Sequence, residues 1–270
     1  MQMDSIQSGR LRFFSPAPYL QGVRNLSSSV SYLAQTYAPA EVFRAYFFDR
    51  LKNNRIRKKY SAETHRYQIL KHSLQLTNDW FCGKAPPFWL SVIDEYGFRE
   101  KEIEVLEIGS WEGLSSHFIL TSLPKAHLTC VDTWEGADEH KDGTAATSEV
   151  LSQIESTFDK NLAPYRDRLT KYKGTSFSFF EKCPNRSVFD FIYVDGSHHC
   201  DDVIVDAVKC FEMLKVGGIM VFDDYFWRHY PNAIDNPAAA INLFLRLKKG
   251  TFKIIRMYYQ IIIQKQADRY

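Results

Sequence analysis

The chain has 270 residues, with 34 Lys or Arg against 32 Asp or Glu, and 45% of its residues are hydrophobic. This length and hydrophobic content suit a single α/β unit with an extension and a substantial core. The net charge of +2 points to no particular partner. No apolar run reaches the roughly eighteen residues of a membrane span, and the N-terminus lacks the apolar core of a signal peptide. We therefore expect neither a membrane-spanning nor a secreted protein.

The cysteine pattern argues against a disulfide framework and against a structural zinc site. The five cysteines are odd in number and show no C-x-x-C or Cys/His zinc spacing. Cys130 and Cys210 fall in a strand-like and a helical run and are expected to be small core residues. A reducing, cytoplasmic compartment is the consistent expectation.

Charge is distributed unevenly along the chain. Residues 1–72 hold twelve Lys or Arg against four Asp or Glu, a net charge of +8, which leaves −6 for the remainder. A basic arm on an acidic domain can contact nucleic acid, an anionic substrate or another subunit.

The N-terminal part predicts an arm followed by helices. Residues 1–28 are rich in Ser, Pro and Gln and are expected to be a loop or loosely ordered arm. Residues 40–53 predict a helix, because Pro39 is tolerated at a helix start and apolar residues recur at three-and-four spacing. These apolar residues are Val42, Phe43, Tyr46, Phe47 and Leu51. The basic run at 55–59 that follows is expected to be a solvated helix end, and the whole segment is a candidate dimer surface.

Further helices are predicted on either side of a proline pair. One covers residues 62–76, and a helical pattern resumes after Pro86 and Pro87 and continues to Tyr96. Trp80 and Trp89 lie on either side of the proline pair and are expected to be packing anchors.

Strand-like and helical segments then alternate. Strands are predicted at 104–108, 127–131, 168–172, 189–194 and 218–222. Helices are predicted between and after them at 114–123, 148–161, 200–214 and 236–248. This alternation indicates a parallel sheet with helices on both faces. The closing segments, 252–259 and 260–265, have no helix between them and are predicted to pair as an antiparallel hairpin.

A glycine-bearing turn follows the first of these strands. In EVLEIGSWEGLSSHFIL, residues 104–120, Gly109 lets the backbone turn sharply and Gly113 lets the next helix start close to a ligand. Trp111 stands where the dinucleotide fingerprint has its middle glycine, which weakens the case for a pyrophosphate ligand. Asp132 ends the second strand, nineteen residues beyond Gly113, where an acid can accept hydrogen bonds from ribose hydroxyls. Together these features favour S-adenosylmethionine.

Acidic residues end two later strands. In the segment 189–227, Asp195 follows FIYV, and Asp223 and Asp224 follow GIMVF. The carboxyl ends of neighbouring parallel strands face one crevice, so these three carboxylates are expected to meet there. With the adjacent histidines of DGSHH, they suggest a hard divalent metal site with a base nearby.

Four stretches together resemble class I S-adenosylmethionine-dependent methyltransferases: LEIGSWEG, VDTWEG, FDFIYVDGSHH and LKVGGIMVFDDYFW. Within that class the sequence is most similar to the macrolide-sugar O-methyltransferases of the macrocin and mycinamicin type. The resemblance covers about residues 76–265, so we divide the chain into an N-terminal arm and helical extension, 1–75, and a methyltransferase domain, 76–270. It implies an α/β fold with a Rossmann-like, doubly wound, seven-stranded and mostly parallel sheet whose last strand is antiparallel.

The resemblance also implies roles for individual residues. The candidate cofactor contacts are Glu107, Gly109, Ser110, Trp111, Gly113, Asp132, Thr133, Ser176 and Asp195. Divalent metal ligation is implied for Asp195, Asp223 and Asp224, and proton abstraction for His198. In some relatives the base is an Asp two residues after the first metal ligand; this chain has Ser197 there, which favours His198, with His199 second.

The predicted reaction transfers a methyl group to a hydroxyl of a sugar or other small polyhydroxylated molecule. Mg²⁺ or another divalent cation would lower the hydroxyl pKa, and His198 would accept the proton. Two alternatives stay open: methylation of a nucleic acid or other macromolecule, and a non-catalytic nucleotide-binding protein. The Asn/Asp-Pro-Pro-Tyr type motif of exocyclic amino methylation is missing, and a binding module has no need of the acidic cluster. We expect the basic arm to serve oligomerisation or acceptor binding, with neither nucleic acid nor membrane as partner.

Overall fold

The computed structural model describes residues 26–137, 146–183 and 187–268, and a seven-stranded sheet lies at its centre. The strands are β1 (Ile103–Ile108), β2 (Ala126–Asp132), β3 (Leu169–Lys173), β4 (Phe189–Val194), β5 (Leu214–Phe222), β6 (Phe252–Met257) and β7 (Ile261–Lys265). Their order is β3-β2-β1-β4-β5-β7-β6. The pairs from β3 through β5 are parallel, whereas β7 is antiparallel to both β5 and β6. The predicted Rossmann-like sheet with a reversed last strand is confirmed.

Helices flank the sheet and precede it. Those described are α1 (Leu26–Gln35), α2 (Ala40–Lys59), α3 (Ser61–Leu70), α4 (Pro86–Tyr96), α5 (Leu114–Ser122), α6 (Ser148–Leu151), α7 (Ile154–Asn161), α8 (Ser176–Lys182), α9 (Cys200–Met213) and α10 (Pro237–Leu247). A search of the described helices found none with the length and apolarity needed to cross a membrane.

Several helix boundaries differ from the predicted ones. The helix predicted over 148–161 is broken into α6 and α7, and α3 ends at Leu70 instead of residue 76. The sequence analysis assigned no helix to residues 26–35 or 176–182, where α1 and α8 lie. The Thr175 hydroxyl caps α8 by accepting the Ser178 N–H at 3.1 Å. Residues 138–145, between β2 and α6, lie outside the described residues.

Strand β5 begins earlier than predicted. It starts at Leu214 and contains Gly217, which the predicted strand at 218–222 leaves out. Gly217 has φ +86°, and the β4 partners shift from Phe189 opposite Leu214 to Phe191 opposite Ile219. Glycine accepts this backbone conformation without steric cost, so the extra residues form a bulge and the strand continues to the site.

Helix α2 packs onto the β6 edge of the sheet. Helix α2 buries Val42, Tyr46 and Asp49, and the Asp49 carboxylate accepts the Met257 N–H at 2.6 Å. The apolar stripe predicted on this helix is only partly buried, since Phe47 and Leu51 are exposed. The helix continues through the basic run to Lys59, because Lys and Arg are good helix formers.

The two tryptophans around the proline pair have different environments. Trp89 is buried, and its ring centroid lies 4.7 Å from that of Tyr193 and 5.3 Å from that of Phe191. Its predicted packing role is confirmed. Trp80 is 42% exposed and therefore is not a core anchor.

Candidate active site

A cavity of about 670 Å³ opens at the carboxyl ends of the parallel strands. Residues at or just after the end of each of the five strands β1 to β5 line this cavity. Among them are Ser110 after β1, Asp132 at the end of β2, Ser176 after β3, Asp195 after β4 and Asp223 after β5. Ligands of open α/β sheets bind at this edge, and all of the predicted site residues except Glu107 and Gly113 line the cavity.

The turn after β1 is packed directly against the end of β4. Gly109 has φ +84°, and a Cβ at this residue would lie 1.9 Å from the Asp195 carbonyl oxygen. The Asp195 N–H donates to the Ile108 carbonyl at 2.8 Å. Only glycine fits here, and this contact brings the glycine turn and the first acid of the predicted metal site together.

Asp132 organises the same turn. One of its carboxylate oxygens accepts the N–H groups of Ser110, at 2.7 Å, and Trp111, at 2.9 Å, while the other accepts the Trp134 N–H at 2.7 Å. A carboxylate has about four lone-pair sites, so Asp132 keeps capacity for ribose hydroxyls. Thr133, the next residue, also lines the cavity.

Glu107 does not line the cavity. It is fully buried behind the turn, where its carboxylate accepts the Ser110 hydroxyl at 2.7 Å, the Ser116 hydroxyl and the Cys130 thiol at 3.3 Å. Burial raises the pKa of this carboxyl. Glu107 thus supports the turn from behind, and its direct contact with a cofactor stays a prediction.

Gly113 also has a structural position that differs from the predicted one. It has φ +83° at the start of α5, and a Cβ there would meet Phe158 at 3.1 Å and Leu162 at 3.2 Å. The residue does not line the cavity. The absence of a Cβ therefore allows the turn to pack against α7 and the residue that follows it, and a close approach of Gly113 to a ligand stays a prediction.

The acids that follow β4 and β5 lie close together, as predicted. The Tyr193 hydroxyl contacts both Asp195 Oδ2, at 2.8 Å, and Asp223 Oδ2. Asp223 Oδ2 also accepts the Gln260 amide at 2.8 Å, and its other oxygen accepts the Asp224 N–H at 2.6 Å. Asp223 is therefore engaged by the protein at both oxygens.

His198 lies beside two of these acids. Its Nε2 is 2.8 Å from Asp224 Oδ2 and 3.9 Å from Asp195 Oδ1. Asp195, His198 and Asp224 each offer a ligand atom, and the three atoms lie within 4.8 Å of one another, as a metal site requires. The predicted metal set had Asp223 in place of His198, so the structure brings the predicted base into the ligand cluster and turns Asp223 toward Tyr193 and Gln260.

Burial and mutual repulsion shift the pKa values of these acids. Burial and the charge of Asp223 raise the pKa of Asp195 well above its usual range. Burial and the charge of Asp224 raise the pKa of Asp223 to about 6. Burial opposes ionisation of Asp224 too, but His198 and Lys84 outweigh it and hold the pKa of Asp224 below its usual range.

Two residues of the cluster come from the hairpin turn between β6 and β7. Phe222 pairs with Ile261, which places Tyr259 and Gln260 next to the acids that follow β5. The Tyr259 hydroxyl donates to Asp224 Oδ1. The Lys84 ammonium lies 3.6 Å from the Tyr259 ring centroid. The sequence predicted the hairpin but contained no local pattern that identifies its partner strand.

Aromatic side chains form much of the remaining wall. The His198 ring lies 4.5 Å from Trp227, and His199 stacks on Tyr230 at 4.3 Å. Of the described residues, none before Leu76 lines the cavity, although the basic arm is a predicted candidate for acceptor binding. Trp227 and Tyr230, which follow β5, line it.

Comparison with protein families gives this site a context. Residues 106–225 match the family model described as a methyltransferase domain. Over these residues the chain is similar to methyltransferases. The matched range begins in β1 and ends just after the acidic pair, so it contains all of the predicted site residues from Glu107 to Asp224. The predicted resemblance to methyltransferases is confirmed over this range.

Solved structures with related folds are remote in sequence. The MycE methyltransferase of the mycinamycin biosynthetic pathway, in complex with Mg and SAH, is 17% identical, with 75% of this chain and 53% of that chain covered and a TM-score of 0.50. An O-methyltransferase from Bacillus cereus in complex with SAH is 13% identical over 76% of this chain and 91% of that chain, with a TM-score of 0.49. A protein from Corynebacterium glutamicum is 14% identical over 77% of this chain and 92% of that chain, with a TM-score of 0.48. This chain spans about half the length of MycE. No curated protein matches it.

Proposed function

We propose that this methyltransferase domain uses S-adenosylmethionine and a divalent cation, with Mg²⁺ as the first candidate, to methylate a hydroxyl of a sugar or other small polyhydroxylated molecule. One observation carries the proposal: the glycine turn after β1 and the carboxylate–histidine cluster after β4 and β5 open into the same cavity. MycE, which shares the fold, binds Mg and SAH, the two ligand types proposed here.

The order of the strands gives the direction in which the cofactor would lie. Ser176 after β3 and Asp132 after β2 form the outer end of the cavity, and Asp195 and Asp224 after β4 and β5 form the other end. With the ribose at Asp132 and the acceptor at the acids, the methionine part crosses the turn at Gly109. A cavity of about 670 Å³ lies within the usual range of small-molecule sites, which favours a small acceptor over nucleic acid.

The residues of the acidic cluster fit a hard divalent cation. Asp195 and Asp224 offer carboxylate oxygens with His198 beside them, and Asp223 adds charge to the same wall. When bound, such a cation would act as a Lewis acid that lowers the pKa of an acceptor hydroxyl.

His198 is the proposed base. The ring lies beside the acids, so the imidazole would accept the hydroxyl proton while the oxygen forms its bond to the methyl carbon and the carbon–sulfur bond breaks. Asp224, 2.8 Å away, would stabilise the imidazolium that results. The products are a methyl ether and a neutral thioether.

Binding and turnover are tested separately. Calorimetry with S-adenosylmethionine and S-adenosylhomocysteine (SAH) is expected to show one site. Methyl transfer to a panel of sugars and phenols is then measured with Mg²⁺ and with chelator, and only the first condition is expected to give product. Methyl transfer that chelator leaves unchanged would contradict metal dependence, and absence of cofactor binding would contradict the function.

The cavity and the basic end of α2 suggest the partners of the protein. We infer that a small hydroxylated molecule is the substrate and that the basic end of α2 serves oligomerisation or acceptor binding. Part of that charge is turned inward, since the Arg57 guanidinium lies 4.9 Å from the Phe88 ring centroid. Binding to nucleic acid that falls steeply with salt would contradict this inference. The cytoplasmic location, the domain boundary at residue 75 and a second copy of the chain as partner stay predictions.

A further inference from the structure

Two tryptophans from separate segments meet at the cavity. Trp111 lies in the turn after β1, and Trp80 lies in the segment between α3 and α4. Their ring centroids are 5.4 Å apart with an angle of 47° between the ring planes, and both residues line the cavity. We call this pair the tryptophan corner.

The backbone at Trp111 is held in an unfavourable conformation. Its φ is +49°, in the left-handed region that a bulky side chain rarely adopts. Three hydrogen bonds are available to hold the local arrangement: the Trp111 N–H donates to Asp132 at 2.9 Å, the Trp134 indole N–H donates to the Trp111 carbonyl at 3.0 Å, and the Ser110 N–H donates to Asp132 at 2.7 Å. An aromatic ring is thus fixed where the dinucleotide fingerprint has glycine.

The segment that carries Trp80 is fastened to the same turn. The buried Glu112 carboxylate accepts the N–H and hydroxyl of Thr77, at 2.8 and 3.0 Å. The buried Asn161 amide accepts the Gln75 N–H at 2.8 Å and donates to the Gln75 carbonyl at 2.9 Å and to the Glu112 carbonyl at 2.8 Å. These bonds fix the chain on which Trp80 is presented, and its ring is 42% exposed.

The strand order places the reacting sulfur at this corner. In the proposed function the ribose binds at Asp132 after β2 and the acceptor binds at the acids after β4 and β5. Strand β1 lies between β2 and β4, so the sulfur must pass over the turn that carries Trp111. The sulfur of S-adenosylmethionine is a sulfonium cation, and cations are attracted to the faces of aromatic rings, most strongly to tryptophan.

We propose that Trp111 and Trp80 bind the sulfonium through cation–π attraction, so that the site prefers the charged cofactor over the neutral product SAH. This inference rests on the proposed function. Methyl transfer breaks the carbon–sulfur bond and leaves its electron pair on sulfur, which becomes an uncharged thioether. The attraction is lost in the same step, and the corner favours release of the product.

Calorimetry of S-adenosylmethionine and SAH with wild-type protein, Trp80→Phe, Trp80→Leu and Trp111→Leu tests the proposal. Each Leu variant is expected to weaken S-adenosylmethionine binding about 3- to 30-fold and SAH binding less than about 2-fold, with Trp80→Phe between Leu and wild type. Phe177→Leu is the matched control, because Phe177 is an exposed aromatic that lines the cavity on the β3 side. It is expected to change the affinities of both ligands by the same factor.

The outcomes separate this inference from the function it rests on. Equal loss of both affinities in the Trp80 variants would assign the corner to adenine stacking or packing and would overturn the proposal, as would no loss at all. Wild-type protein that binds neither ligand would overturn the proposed function itself. Trp80→Leu is decisive because its side chain is exposed, and a thermal melt matching that of wild type verifies its fold.

Discussion

The two sides of the cavity are stabilised in different ways. On the β1–β2 side, the Asp132 carboxylate accepts three backbone N–H groups, and Glu107 supports the same turn from behind through the Ser110 hydroxyl. On the β4–β5 side, Asp195, Asp223 and Asp224 are crowded together, and burial and mutual repulsion raise the pKa values of the first two. The first side is organised before a ligand arrives, whereas the second is crowded with negative charge that a cation would offset.

Breaking the acidic side is expected to have the largest effect. Asp224→Asn removes a charged oxygen from the cluster and the ion-pair partner of His198, so methyl transfer should fall to background while calorimetry finds cofactor affinity within about 2-fold of wild type. The exposed Asp201 on α9 offers a matched control, and Asp201→Asn should retain activity. Activity of Asp224→Asn near that of the control would make the cluster structural.

The next largest effect is expected at the histidine. His198→Ala should lower turnover by about 10² to 10⁴-fold, the usual range for a lost general base, with cofactor affinity unchanged. His199→Ala is the adjacent control, since His199 stacks on Tyr230 and is outside the ligand cluster. Single-turnover assays of both variants check this. Equal loss in the two would show that the histidine pair acts through packing.

Asp206, a buried residue of α9 that lines the cavity, tests whether a carboxylate outside the acidic cluster also lowers the stability of the fold when it ionises. Burial raises its pKa to about 7, the Ser176 hydroxyl opposes that rise and the charge of Asp202 adds to it. An unfolded Asp ionises near pH ~3.9 while the folded one keeps its proton, so the unfolded state binds fewer protons and stability falls as pH rises from about 4 to about 7.

The expected size of this effect is about 1.4 kcal/mol per pH unit, or about 3 kcal/mol between pH 5 and pH 7 as an upper value. Asp206→Asn should remove that pH dependence and be the more stable protein at pH 8. Denaturant unfolding of both proteins at several pH values measures the difference. Parallel curves for wild type and variant would mean that Asp206 is solvated.

The smallest effect is expected at the ribose acid. Asp132→Ala removes the acceptor of the Ser110, Trp111 and Trp134 N–H groups and the proposed ribose contact, so cofactor affinity should fall about 10- to 30-fold. Asp132→Asn keeps one oxygen, so its cofactor affinity should lie between that of Asp132→Ala and that of wild type. Calorimetry measures both variants, and unchanged affinity in Asp132→Ala would remove this residue from the cofactor site.

Local patterns were enough to predict most of the core. Alternation of apolar strands and helices gave the parallel sheet, and the missing helix between the last two segments gave the antiparallel hairpin. Helix α8 was missed because GTSFSFFEKC is too short for a helical period to be distinguished. The early start of β5 was missed because Gly217 reads as a turn, although its φ of +86° serves a bulge within the strand.

The site was predictable as a set of strand ends, but the contacts of its members were not. Glu107, Gly109 and Gly113 belong to one motif, yet each has a different neighbour. Glu107 supports the turn through Ser110, Gly109 contacts Asp195, and Gly113 packs against Phe158. Spacing along a chain shows that residues lie in one turn. It does not show which way each side chain points, because that depends on which side chains of the flanking helices pack against the turn.

The sequence by itself determined which residues end the strands, since turn residues and apolar periodicity are local properties of the chain. Only the tertiary structure decided what those residues meet. Pairing of Phe222 with Ile261 brings Gln260 and Tyr259 to the acids, and this depends on a strand register between segments about forty residues apart. Such a register is set by burial across the whole sheet, which no local pattern encodes.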